Sequence, residues 1–238
     1  GYDREDGWRQ DTGAEQYNGF FNLGRLTEKW GVRLQGYGAK SRAETAGSLP
    51  LSVFNTSPDS NLSTGDYEDL NNLQLAVSGY QRGDRGQFSF STFVRRHRAE
   101  RFNVNQEDDP DNLGRSRNLM LGGSADYRWQ ATDLLGIRIG TEGSRSHTEV
   151  ELFADSAKFG GPVNQTTFVK SPTWDIAGYA LADLTVGRAT FSAGARYDYI
   201  RIPFENQLDP TRDTTSSYSQ LSPKGGVSVE MGSGLTLF

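Results

Sequence analysis

The chain has 238 residues, no cysteine and a formal net charge of -5, with 34% of residues hydrophobic and 11% aromatic. The acidic balance speaks against nucleic acid as a partner, because neutralising phosphates needs a basic face. The missing thiols exclude a disulfide scaffold and thiolate metal sites, while the aromatic content exceeds that of a disordered chain, so the fold must need few apolar residues.

No segment approaches the roughly 18 apolar residues of a membrane helix. A mean hydropathy of -0.65 would normally indicate a soluble chain, but in a membrane barrel only every second residue meets lipid and the average stays polar. Gly1 to Gln10 is polar and charged, with no apolar stretch of the kind a signal peptide carries.

Alternation with a period of two begins at Tyr17, where Tyr17, Phe21 and Leu23 share a phase as far as Leu26. Trp30, Val32 and Leu34 repeat it against Arg33, Gln35 and Tyr37, up to about Arg42. Such a period predicts strands. Leu73, Leu75 and Val77 lead through Arg82-Gly83-Asp84-Arg85 into Phe88, Phe90, Thr92 and Val94, a predicted hairpin. Leu119, Leu121, Ala125, Tyr127 and Trp129 precede Leu135, Ile137 and Ile139. Asp175 to Val186 turns at Gly187-Arg188 into Phe191, Ala193, Ala195, Tyr197 and Tyr199. Leu221, Gly225, Val227, Val229 and Met231 form the last full strand before Gly232-Ser233-Gly234. The pattern predicts about nine strands of roughly 11–14 residues plus a stub.

Short turns near Thr27, Gly83, Ala131, Gly187 and Gly232 interleave with predicted long loops over 44–70, 99–115, 148–172 and 203–217. Interleaving of this kind is expected of an antiparallel up-and-down transmembrane β-barrel with periplasmic turns and extracellular loops. The phase opposite the apolar one carries Arg95, Asp126, Arg128, Arg138, Glu142, Arg196, Asp198, Lys224 and Glu230. Inside a dry sandwich core such charges would cost several kcal/mol each; in a wet or plugged bore they are tolerated. Trp30, Tyr127 and Trp129 near turns, with Tyr197 and Tyr199 at the far end, suit two interfacial girdles.

Phe191-Ser-Ala-Gly-Ala-Arg-Tyr-Asp198, Gln220-Leu-Ser-Pro-Lys-Gly-Gly-Val-Ser228 and Gly234-Leu-Thr-Leu-Phe238 resemble consecutive barrel strands of TonB-dependent receptors, and Asp6-Gly-Trp-Arg9 resembles an early extracellular loop of that family. The resemblance covers 1–238 as a partial barrel domain, and the interrupted alternation at Gly232 places its end inside the barrel. It implies a larger barrel of about 22 strands, occluded by a plug and taking up a ferric siderophore or similar scarce nutrient with energy from the TonB complex. The plug and the TonB box of that pattern are not within this sequence. A passive porin and a soluble β-rich binding module are the alternatives.

No nucleophile motif, phosphate loop or metal-ligand spacing marks an enzyme, and no cofactor is expected. His97 and His147 stand far apart in sequence, each near a strand end. Arg95 and His97 are expected to point inward towards an anionic ligand, and Arg96 and Arg98 outward towards lipopolysaccharide phosphates. Trp8, Phe54, Tyr67, Phe153, Phe159 and Phe168 are candidate ligand contacts in the predicted loops. Glu107, Asp108, Asp109 and Asp111 form an acidic tip that reads more simply as a soluble loop than as a cation site.

Overall fold

The structure is a computed structural model that describes residues 1–105, 109–232 and 235–237. It forms one 11-stranded sheet in which every strand pairs with its neighbours in sequence. The strands are β1 (Tyr2–Glu5), β2 (Ala14–Leu26), β3 (Trp30–Glu44), β4 (Tyr67–Arg82), β5 (Gly86–Asn103), β6 (Asp111–Gln130), β7 (Leu135–Asp155), β8 (Val163–Val186), β9 (Ala189–Asn206), β10 (Thr214–Gly232) and β11 (Leu235–Leu237). One helix, α1 (Leu51–Thr56), lies between β3 and β4. All pairings are antiparallel, the arrangement of an up-and-down meander.

Directly opposed residues share a face of the sheet, so the register sorts the whole chain into two faces. Leu75 opposes Gly36 and Val94, and Val94 opposes Leu121. Ile139 opposes Tyr127 and Ala180, Ala180 opposes Ala195, and Phe191 opposes Leu184 and Val227. This phase is apolar. The other phase joins Ser91 to Ser124, Ser124 to Glu142, Asp126 to Arg138 by way of a side-chain bond, and Asp198 to Gln220.

No second layer covers either face. Ala177 is the only buried apolar side chain among the described residues, while Leu75, Val94 and Val227 stay 41%, 38% and 50% exposed. The chain exposes 15957 Å², against about 10,600 Å² for a compact soluble domain of its mass. A soluble sandwich, with its apolar phase closed inside, is therefore not what forms. The apolar face must be covered by something other than this chain.

Two backbone details fix the local geometry. Gly187 takes a φ of 61°, which lets the 187–188 turn reverse β8 into β9 within two residues. At Gly36 an added Cβ would stand 2.0 Å from the ring of Phe21, its direct partner, so the ring lies flat over the glycine.

Sequence reading underestimates the strands. They run from 13 residues in β2 to 24 in β8, apart from the short outer strands β1 and β11, and β1 is not foreseen at all. The predicted loops over 99–115, 148–172 and 203–217 are largely strand: among the described residues only 104–105, 109–110, 156–162 and 207–213 lie outside strands there. Only 45–66 remains a long connection. The reason is physical: beyond the apolar band both faces of a hairpin meet water, so alternation fades although the ladder continues.

Candidate functional site on the polar face and the long hairpins

The polar face carries linked side chains at mid-strand. Arg138 Nε donates to Asp126 at 2.9 Å, with Arg128 3.8 Å from the same carboxylate oxygen. Arg196 bridges Glu142 at 2.5 Å and Asp198 at 2.8 Å, and Ser144 donates to Asp175. Higher on the same face, His97 Nδ1 lies 2.6 Å from Asn72 Oδ1, and Asn118 donates to Thr148 at 2.7 Å. Arg95, two residues below His97, has its Nη2 3.5 Å from the sulfur of Met120 and no carboxylate partner among the described residues. The upper polar face therefore presents a free guanidinium beside neutral hydrogen-bonding groups.

The connections at the opposite end from the tight turns are tied together. Arg9, between β1 and β2, donates to the Ser60 carbonyl at 2.6 and 3.0 Å and to the Gly47 carbonyl at 2.8 Å. The buried Asp66 carboxylate accepts the Val104 N–H at 2.5 Å. Glu100 takes Arg115 at 2.7 Å and the Tyr67 hydroxyl at 2.7 Å. Arg115, followed by Tyr67, holds the Glu100 carboxyl below its ordinary range.

The whole chain, residues 1–238, matches the family described as TonB dependent receptor-like, beta-barrel. The chain belongs to the TonB-dependent receptor barrel family. Its fold resembles the ferric citrate transporter FecA (TM-score 0.79, 13% identity), covering 95% of this chain and 35% of FecA. It also resembles the ferric-catecholate import receptor Fiu from E. coli K12 (TM-score 0.67, 13% identity, 95% and 46% covered) and the copper transporter OprC (TM-score 0.69, 11% identity, 94% and 35% covered). The chain thus spans less than half the length of these solved receptors. No curated protein matches it by sequence.

A TonB-dependent receptor barrel sits in the bacterial outer membrane and is a transporter, not an enzyme. Its apolar face is the outward one, against lipid, and its polar face looks into the bore; the tight turns are periplasmic and the long hairpins extracellular. Trp30 and Trp129 beside the periplasmic turns, and Trp174, Tyr197 and Tyr199 near the upper edge, fall in two girdles on the outward face.

The register places the expected site residues as follows. Arg95 and His97 lie inward on β5, and Arg96 and Arg98 outward, opposite Leu119 and Arg117. Trp8 is 72% exposed in the 6–13 connection, Phe54 sits on α1, and Phe159 on the single helical turn Ala157–Phe159. Tyr67, Phe153 and Phe168 are not in loops. They are strand residues of the outward phase, opposed to Phe102, Leu113 and Glu151 respectively, and lie beneath the cations Arg42, Arg115 and Lys170. The structure does not gather these aromatics into one pocket. His97 and His147 end on opposite faces.

Glu107 and Asp108 lie outside the described residues. The Asp111 carboxylate accepts the Lys158 ammonium and the Asn105 N–H, each at 2.9 Å. Among the described residues no three His, Asp or Glu side chains converge as metal ligands. Sequence reading missed the tethering Arg9 and the outward cations of β7 to β9. Extending the period-two phase upward past Ile139 on β7, before Asp175 on β8 and past Tyr199 on β9 would have found the latter.

Proposed function

We propose that this chain is part of a receptor that actively imports a ferric siderophore or a comparable anionic metal chelate, driven by the TonB complex acting on a plug in the bore. The observation carrying this reading is the upper inward face: Arg95, without a carboxylate partner among the described residues, lies beside His97, Asn72 and Asn118. A guanidinium near neutral donors favours a delocalised anion. Trp8, Phe54 and Phe159 on the extracellular connections would make first contact with the ligand. Tyr67, Phe153 and Phe168 face away from the bore and would hold the hairpins upright rather than touch ligand.

FecA and Fiu are named for ferric ligands and OprC for copper, which favours a metal-bearing anionic chelate. The other proposed partner is lipopolysaccharide, met by the outward Arg96 and Arg98. The test is accumulation of radiolabelled ferric chelate by cells carrying the full-length receptor. Uptake should stop when the proton-motive force is dissipated, and Arg95→Gln with His97→Asn should weaken binding at least tenfold. Uptake that persists without the proton-motive force would identify a passive channel instead.

A further inference from the structure

Climbing β3 and β5 to β9 on the outward face from the periplasmic turns, the first charged side chain is Lys40 in β3, Arg96 in β5, Arg117 in β6, Arg145 in β7, Lys170 in β8 and Arg201 in β9, whereas β2 places Arg25 beside its turn. Carboxylates follow above: Glu44, Glu100, Glu149 and Glu205. On β4 the polar Asn71 comes first, then Asp69. The apolar band thus ends at a collar of cations. Arg117 and Lys170 share Glu149, at 3.7 and 3.8 Å. Arg145 and Arg201 have no ion-pair partner among the described residues.

These two arginines flank one indole. Arg145 is directly opposite Trp174, and Trp174 is directly opposite Arg201. Strands lie about 4.8 Å apart, which sets the two arginine Cα atoms about 10 Å from each other. The ring of Trp174 also packs 5.1 Å from that of Tyr199, below. Together with Pro172 and Pro203 the three side chains line an open cavity of about 1000 Å³. Glu205 and Asp213 line its upper part, four residues beyond Arg201 and just before β10. Their charge repels an anion from above and confines it to the arginine level.

We infer that Arg145, Trp174 and Arg201 form a binding site for a phosphorylated sugar headgroup of the outer leaflet, the lipid A of lipopolysaccharide. Two forked guanidiniums match the geometry of a phosphate. The indole offers an apolar plane to a sugar ring at the depth where amphipathic rings settle. Ile176 and Tyr199 continue the same outward phase downward as a track for acyl chains. This site is separate from Arg96 and Arg98 and rests on the apolar face being the lipid-facing one.

The test uses the full-length receptor extracted from outer membranes in mild detergent, with retained lipid A quantified per receptor. Arg145→Gln with Arg201→Gln should lower retention about tenfold, leave unboiled gel mobility unchanged, and resist rescue by added magnesium. Arg145→Lys with Arg201→Lys keeps charge without the fork and should retain an intermediate amount, which keeps the idea testable if the Gln pair misfolds. Equal retention in all three proteins overturns the site. Displacement of lipid A by inorganic phosphate alone would mark a free-anion site and overturn it as well. The inward Arg95→Gln, on the opposite face at the level of Arg145, serves as a control: if it depletes lipid A and the outward pair does not, the face assignment itself has failed.

Discussion

Placing one arginine on each face of the sheet tests the orientation on which everything functional depends. Ile139 lies on the outward phase of β7, 51% exposed, opposed by Tyr127 and Ala180. It is six residues below Arg145, the first outward charge on its strand. At about 3.3 Å per residue and a tilt near 40°, that puts Ile139 about 15 Å beneath the collar, close to the middle of a hydrocarbon layer about 30 Å thick. Ile139→Arg should therefore cost about 2–4 kcal/mol, a fall of roughly 30-fold to 1000-fold in the folded population. Ser124 lies within the same band, about 8 Å nearer the collar, but inward, opposed by Ser91 and Glu142. Ser124→Arg gains a carboxylate neighbour and should stay within about 0.5 kcal/mol of the parent.

The assay is reversible urea unfolding of the full-length receptor in phospholipid vesicles, followed by tryptophan fluorescence. A neutral Ile139→Arg together with a strongly destabilised Ser124→Arg would refute the reasoning, since it would put lipid on the polar face.

Three further outcomes follow from the hairpins and the sheet. Asp66→Ala should leave the Val104 N–H without its acceptor and cost about 1–3 kcal/mol locally, read as faster amide exchange over 45–66 with the band strands unchanged. Because the Glu100 carboxyl titrates below its ordinary 4.5, its contribution is present above that value and lost as pH falls through the lowered folded value; hydrogen exchange around 98–103 and 111–117 should rise only below pH 4.5. Glu100→Gln should produce the same loosening at neutral pH. At Gly36, substitution by Val should push the Phe21 ring off its seat and cost about 1–3 kcal/mol, visible as a lower urea midpoint, whereas Phe21→Ala should be partly additive with it because the two share one contact.

Much of the architecture was legible because the lipid imposes it. Wherever acyl chains cover one face, the period of two survives undiluted, and Trp30, Leu75, Val94, Ile137, Tyr197 and Val227 could each be assigned to a phase from sequence. Above the band the same constraint disappears. Arg115, Arg117, Glu149 and Lys170 alternate with serine, asparagine, threonine and valine, a pattern that reads as loop although β6, β7 and β8 continue through it. The ligand candidates suffered from the same blindness. Tyr67, Phe153 and Phe168 looked like loop aromatics because their strand context was invisible, while Arg9 gave no local sign that it would reach the carbonyls of Gly47 and Ser60.

The absence of a covered core also says where stability comes from. A single sheet gains backbone hydrogen bonds and cross-strand pairs, each pair contributing only about 0.2–1 kcal/mol, and none of its large apolar side chains is fully buried among the described residues. The hydrophobic term must then come from acyl chains, and the polar face must be completed by water, a plug or ligand. Both faces are thus binding surfaces by construction. On the outward face lipid chemistry changes from acyl chain to phosphate at the top of the apolar band, and there the strands place Lys40, Arg96, Arg117, Arg145, Lys170 and Arg201. The fold fixes the height of that boundary, and on each of those strands the first charge met there is a cation, with Glu149 and Glu205 set opposite Lys170.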